Sequence, residues 1–572
     1  MKTKLLAALL TAALCLGMLV GCAGNDAKQP QGTASSDAEQ TQTPAPTGSA
    51  GTDEVIIYLT TDNKLMATRG RESSTQVVLA ENVFADSANL PEVAAYEATA
   101  DLETWNWYEN RYQVCFVNGN TAYFFANIVM TLGVYPFEPT ADLFAVDLDA
   151  LNEDLDNVSA CLTLISADVN PVYVRVSPHG IVYSTYDVVA FWDGASSTTL
   201  LDMPINGANG SLELFQNGDA VVIAAARGNS SAYHLQISKL DGSNTTKVLA
   251  EKTALNGHDI GADFDSDVVV YACQGDSENG NLVPYIGDFD MESTPLQIER
   301  TKGWLQVGDM HGNEFYYTFG FDKYAGYSEL WFYNGSDSIK IASDIDPDAF
   351  YSNAEQQFAY YCKHDQTYYY TSVDLAETPL GVSSNADYAD EQQVESFFVA
   401  HPRGGNVGAW EYVLCVLKDG VVTSATMAPV AKGNSIPYAC KGIDAVLLAT
   451  LDWTGETGSI YSGDFALLTP DGENELPHIG MGAIFSLYQD KTFVGHAMGE
   501  LVVMQGGNEK RYTADGEIGY YLRLADGQIL CTVDNGLVLF GDGSISLAEN
   551  ALWMTTVTAT YSVCEDVTEF SS

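Results

Sequence analysis

Short runs of apolar residues, four to eight long and cut by turn residues, recur along almost the whole chain, and stripes at helical spacing are scarce. Residues 171–203 show the unit most plainly. Apolar stretches lie at Val172–Val176, Ile181–Ser184, Val188–Trp192 and Thr198–Leu201. Ser177-Pro178-His179-Gly180 separates the first two and Asp193-Gly194 precedes the last, where Pro fixes φ and Gly supplies a positive φ. Strands this short bury both faces only against neighbouring units.

The order of strand, turn and strand returns near Val221, Val268, Phe315, Phe358 and Tyr412, at spacings of 47, 47, 43 and 54 residues, and again near Val446, Val494 and Leu530. Residues 314–319, 329–333 and 339–342, with Asn334-Gly335 between the last two, reproduce the first-described unit. Self-similarity at such a period marks a propeller or solenoid. The expectation is an all-β fold, a propeller-like array of antiparallel four-stranded blades over residues 54–568, because radial closure protects many short edges. Ten or eleven starts exceed the usual blade number of about four to eight. The reading is therefore one ring of seven or eight blades with insertions, the alternative being two smaller tandem propellers divided near residue 300.

The first unit, residues 55–79, has only three strands. Thr556–Val563 alternates strictly and has no later partner, so it is expected to complete that unit and lock the ends together. Residues 84–111 break the pattern with a short helical stretch near 90–102 and then Trp105, Trp107 and Tyr108. These rings suit stacking on a sugar or holding a partner's apolar patch, unless the insertion folds back and buries them.

The leader differs from everything after it. Lys2 and Lys4 precede an apolar run reaching Val20, too short for a spanning helix and suited to export. From Ala23 to about Asp53 the chain turns to Gln, Thr, Ser, Ala, Pro and Gly without an aromatic residue. Such a segment has nothing to offset the entropy of ordering and reads as a tether with a reach of about 30 Å. Leu19-Val20-Gly21-Cys22 resembles the bacterial lipobox. The resemblance implies a signal peptide at 1–21, a diacylglyceryl (palmitate-type) lipid on Cys22, a tether over 22–53, and an extracytoplasmic protein on a bacterial membrane.

Composition narrows the partners. With 25 basic and 76 acidic residues the formal net charge is −51, a field that repels nucleic acid and anionic lipid. The 32 Tyr and 50 Gly fit twisted sheets and turns. Cys115, Cys273, Cys362, Cys415 and Cys531 each precede a turn in an apolar strand and read as small hydrophobes in equivalent positions. The absence of C-x-x-C and C-x-x-H pairs removes the usual zinc and redox motifs. Asp344, Asp346 and Asp348 with Glu355 resemble a calcium loop, although Ala349 stands where a Gly turn belongs and Pro347 stiffens it; no other cofactor is indicated.

No G-x-S-x-G, H-E-x-x-H or P-loop motif occurs, so no catalytic residue is assigned and a binding role is preferred to an enzymatic one. Lipobox, tether and Tyr-rich repeats together resemble bacterial surface lipoproteins with TolB-like or related propellers. The resemblance implies a binding or scaffold module for a peptide, glycan or protein partner. The alternative is a carbohydrate-active enzyme with carboxylates at the channel mouth.

Overall fold

The computed structural model describes the chain in segments between residues 55 and 560. Residues 1–54, 86–113, 130–138, 561–572 and a number of shorter connections lie outside the described residues. The protein is all-β; among the described residues there are two short helices, Leu148–Glu153 and Val158–Cys161, in one connection.

The described strands form nine antiparallel sheets. In chain order, the first joins Val55–Thr60, Leu65–Arg69 and Gln76–Ala80 to the distant Ala551–Thr556. The second (residues 115–201) and fifth (305–382) have seven strands, the third (211–253), fourth (260–295), sixth (388–429), seventh (435–479) and eighth (484–513) have four, and the ninth (518–548) gains the short strand Ala559–Thr560.

Each seven-stranded sheet is two four-stranded units sharing one long strand. Along Leu162–Ser177, residues up to Val169 pair with Thr140–Asp147, and those from Val169 onward pair with Gly180–Thr185. Ile345 is the same kind of pivot in Ser338–Ser352, opposite both Ser328 and Cys362. Split at the pivots, the described sheets amount to eleven four-stranded units, in line with the ten or eleven starts in the sequence. The unit start read at Tyr412 is one strand late. The equivalent second strand of the sixth sheet is Phe397–Pro402, which removes the outlying interval of 54.

Burial follows position within a unit. Second strands such as Val55–Thr60, Ala220–Ala225, Phe493–Ala497 and Ile529–Val533 are buried throughout, whereas last strands such as Asn508–Thr513 are largely exposed. The period-2 side-chain geometry of a strand lets one strand serve two cores. Val55, Ile57 and Leu59 pack with the second sheet, while Ile56 and Tyr58 pack with the ninth. Val221, Ile223 and Ala225 likewise face the second sheet, and Val222 and Ala224 the fourth. Shared cores also join the fourth sheet to the fifth across residue 300, the sixth to the seventh, the seventh to the eighth and the eighth to the ninth. The fifth and sixth touch through Ser338–Ser352 and Tyr388–Val394.

Tyrosine has a repeated job here that composition alone did not disclose. Tyr183, Tyr271 and Tyr317, all on second strands, reach Ser197, Ser293 and Ser338 near the start of the last strand at 2.9, 2.7 and 2.8 Å. Tyr271 also donates to the carbonyl of Leu249 in the preceding sheet at 3.1 Å, and Tyr317 to that of Gln297, just past the last strand of its preceding sheet, at 2.7 Å. A buried hydroxyl with both partners fixes sheet to sheet in a way that an apolar ring does not.

Turn chemistry is as the pattern requires. Gly180 has φ 147°, and a Cβ there would strike the carbonyl oxygen of Trp192. Asp193 accepts from the backbone N–H of Ala195 and Ser196 at 2.9 and 2.8 Å, and these bonds hold its carboxyl below the usual range.

The cysteine expectation needs correction. Cys273, Cys362 and Cys531 lie on second strands, but Cys115 is on a first strand and Cys415 on a third, so the five are not equivalent. Among the described residues Cys115, Cys161, Cys415, Cys440 and Cys531 are buried free thiols. Burial pushes Cys415 up to about 12, which leaves it inert as a nucleophile.

Candidate functional site

Alternating strands in an antiparallel unit put two kinds of connection at opposite ends. The first-to-second and third-to-fourth turns lie at one end, and the second-to-third turns and links between units lie at the other. Neighbouring sheets keep like ends together. At the first end Asn118 Nδ2 donates to the Ser177 carbonyl at 3.1 Å, His179 Nε2 is 2.7 Å from Asp219 Oδ1, and Ser396 Oγ donates to Asp444 Oδ2 at 2.7 Å. At the other end Thr61 N–H donates to the Asn550 carbonyl at 2.8 Å and Glu517 N–H to Asp534 Oδ1 at 2.9 Å.

The most elaborated place is a corner of this second end, between the first two sheets. The chain leaves the first sheet after Ala85 and returns at Val114, and it also leaves the strand Thr121–Val129 there. Asn63 roots both departures. In the turn after Val55–Thr60 it takes φ 69° and is 2% exposed. Its Nδ2 donates to the Phe84 carbonyl at 2.8 Å, its Oδ1 accepts from Phe84 N–H at 2.9 Å, and its own carbonyl accepts from Val83 N–H at 3.0 Å. Phe84 bridges in parallel to Ile128, whose N–H donates to the Val83 carbonyl at 2.8 Å while Ala85 N–H donates to the Ile128 carbonyl at 2.9 Å. Asn127, at φ 54°, adds Nδ2 to Asp142 Oδ2 at 2.7 Å.

Around the clamp the field is mixed. Lys64 Nζ lies 3.5 Å from Asp62 Oδ2 and 3.6 Å from Glu81 Oε2, with both carboxylates well exposed. A hydrogen bond from Thr60, with Lys64 adding to it, holds Asp62 below the usual range. Asn63→Ala is expected to cost about 2–4 kcal/mol, because Phe84 loses both partners inside the fold. Chemical denaturation would check this, and a loss below 1 kcal/mol would show that the turn backbone alone holds the corner.

Of the residues singled out in the sequence, Trp105, Trp107 and Tyr108 lie outside the described residues, on the chain between the two roots of this corner. The backbone of Asp344, Asp346 and Asp348 is extended within Ser338–Ser352 rather than wound into a connecting loop. Their side chains, Glu355 and Cys22 lie outside the described residues. Asn63 was missed as a site residue because Thr61-Asp62-Asn63 reads as an ordinary turn. Its sequence signal, an Asn suited to positive φ, is common to many turns.

A second polar group lies between the eighth and ninth sheets. Arg523 Nη2 is 2.6 Å from Asp490 Oδ2, and its guanidinium sits 5.2 Å above the Tyr488 ring. Burial opposes the charge on Asp490, but hydrogen bonds from Thr492 and the nearby Arg523 prevail and hold it below the usual range. Tyr521 donates to Ser486 Oγ at 2.8 Å.

No family model and no curated protein matches the chain. Among solved structures it is similar to a eukaryotic initiation factor, at 10% identity and TM-score 0.39 over 72% of this chain and 97% of that one. It is also similar to an acylaminoacyl peptidase from Pyrococcus horikoshii, at 10% identity and TM-score 0.29 over 68% of this chain and 57% of that one. Neither likeness carries a functional argument.

Proposed function

We propose that this chain is a bacterial extracytoplasmic lipoprotein, held to a membrane by acylated Cys22 and the tether 22–53, whose sheets form one propeller-like ring that binds a protein, peptide or glycan partner. The ring is supported by shared cores that run from sheet to sheet and by Ile56 and Tyr58 of the first sheet packing on the ninth. The observation that carries the binding role is polarity. The tether enters the first sheet at Val55, and Asn63 clamps the elaborated corner beyond the other end of that strand, about 20 Å away at 3.3–3.4 Å per residue. The tether thus joins the fold at the end opposite the corner, which leaves the corner unencumbered by the anchor and available to a partner.

One sheet supplies the control for a test. Asp187 and Ala195 are both exposed and lie in successive turns at opposite ends of the strand Val189–Trp192. Asp187→Cys and Ala195→Cys, each coupled to a bulky polyethylene glycol maleimide, are compared for partner recovery from cell envelopes. Recovery is expected to fall at least tenfold with the block at 187 and to stay within twofold with the block at 195. The reverse order would overturn the assignment of the presenting end.

A further inference from the structure

The seam between the eighth and ninth sheets holds one group that binding and anchoring leave unused. His496, in the buried strand Phe493–Ala497, is 2% exposed, and neither Nδ1 nor Nε2 has a hydrogen-bond partner among the described residues. Its ring stands edge-on to Tyr521 of the ninth sheet, with centroids 5.2 Å apart at 85°. Val494, Leu501, Ile518, Cys531 and Val533 fill the same core.

The titratable groups on this seam are few. Tyr488 and Asp490 follow the strand Ile484–Leu487, Tyr512 comes from Asn508–Thr513, Tyr521 and Arg523 from Ile518–Leu524, and Cys531 from Ile529–Val533. Burial pushes Tyr488 and Cys531 up, so both are neutral, and Asp490 is engaged with Arg523. Desolvation is the one cause acting on His496, with no carboxylate beside it to stabilise an imidazolium.

We propose that this seam is an acid-operated joint, in which protonation of His496 places an unpaired charge between two sheets and parts them before the other sheets open. The inference is independent of the lipid anchor. The mechanism is one of linkage: a proton from solvent binds the imidazole once it is exposed, and the apolar seam does not close over the charge. The ninth sheet is a sensitive place for it, because Arg523 and Leu524 pair with Thr560 and Ala559, and Leu522 and Leu524 pack on the first sheet.

The sign follows from the depressed value. Burial holds His496 at about 4, against 6.5 when exposed. The open form therefore binds the proton more readily, and the seam is unaffected above about pH 6.5. Opening then grows as the pH falls, by about tenfold per unit at first, to roughly 150-fold at pH 4 and a limit of roughly 300-fold below it. Asp490 is already held below the usual carboxylate range, so its loss as a partner to Arg523 belongs to lower pH.

Hydrogen exchange on the full chain, corrected for intrinsic rate at pH 7, 5.5 and 4.5, tests this with residues 518–533 as the seam and 211–225 as the reference. Wild type is expected to lose protection at the seam by about 60-fold between pH 7 and 4.5 while the reference holds, and His496→Phe and His496→Gln to flatten that loss. Equal losses in wild type and both variants, or a flat seam in wild type, would overturn the joint. Should neither variant fold, imidazole NMR of wild type decides alone. A His496 that titrates near pH 6.5 in the closed protein sinks the proposal, and one that stays neutral until the seam opens supports it.

Discussion

Deletion of residues 551–572 is expected to lower the stability of every sheet together rather than to fray the first one. Ala551–Thr556 pairs along Ile56 to Thr60 of the strand Val55–Thr60, with Ile56 opposite Thr556, Tyr58 opposite Met554 and Thr60 opposite Ala551. Ala551 and Met554 are fully buried, and Thr556 Oγ1 donates to the Val55 carbonyl at 2.9 Å. Losing one ladder of hydrogen bonds and these side chains costs about 5 kcal/mol or more, against a typical domain stability of 5–15. The loss spreads because Ile56 and Tyr58 share their core with Leu522, Leu530, Leu537 and Leu547 of the ninth sheet. Unlocking the first sheet therefore strips a face from its neighbour, and each neighbour in turn packs on the next. Met554→Asp is a point version, expected to cost about 4 kcal/mol by burying a charge beside Tyr58. Calorimetry with hydrogen exchange at 55–59 and 446–453 separates the outcomes. Loss confined to 55–59 with the rest intact would mean an open array.

How far the sequence foretold this structure depends on whether a feature leaves a local mark. The unit at 171–203 was legible because alternation and Gly-containing turns act within a few residues, and Ile181–Ser184 falls inside the observed Gly180–Thr185. The closing strand was legible in kind and displaced in place. Thr556–Val563 was expected to complete the first unit, yet Ala551–Thr556 does so and Ala559–Thr560 pairs with the ninth sheet. Both stretches alternate well enough, and only long-range packing of Met554 chooses between them. The pivots left no local mark, for a physical reason. Pro171 and Pro347 each sit in the irregular stretch where a continuous strand changes partners, between Val169 and Val174 and between Ile345 and Phe350. A residue without an N–H is tolerated where the ladder is already interrupted. Asn63 and His496 left no mark, since one is a turn Asn and the other a lone His until the fold buries them.

Replacement of Cys22 by Ala is expected to move the protein wholly from the detergent phase to the aqueous phase, with its melting unchanged. On the proposed lipobox reading, and once the apolar leader is removed, the lipid on Cys22 is what draws the chain to a membrane. The formal charge of −51 opposes approach to anionic headgroups, and among the described residues no helix is long and apolar enough to cross a bilayer. Acylation supplies about 0.8 kcal/mol per buried CH₂, so a single chain holds marginally and a diacyl anchor holds stably. The change is therefore nearly all-or-none rather than graded. Stability should not follow it, because residues 23–53 carry no aromatic group with which to contribute a core, and Val55 is where the first buried strand starts. Phase partition, incorporation of an alkyne-palmitate probe and a thermal melt on the same preparation test all three statements. A Cys22→Ala protein that still enters detergent and still takes the probe would place the lipid elsewhere and remove the anchor from the tethered end. A Cys22→Ala protein that partitions as expected but melts lower would show that the tether docks on the sheets, and the presenting end would then have to be sought with the anchor held close to the fold.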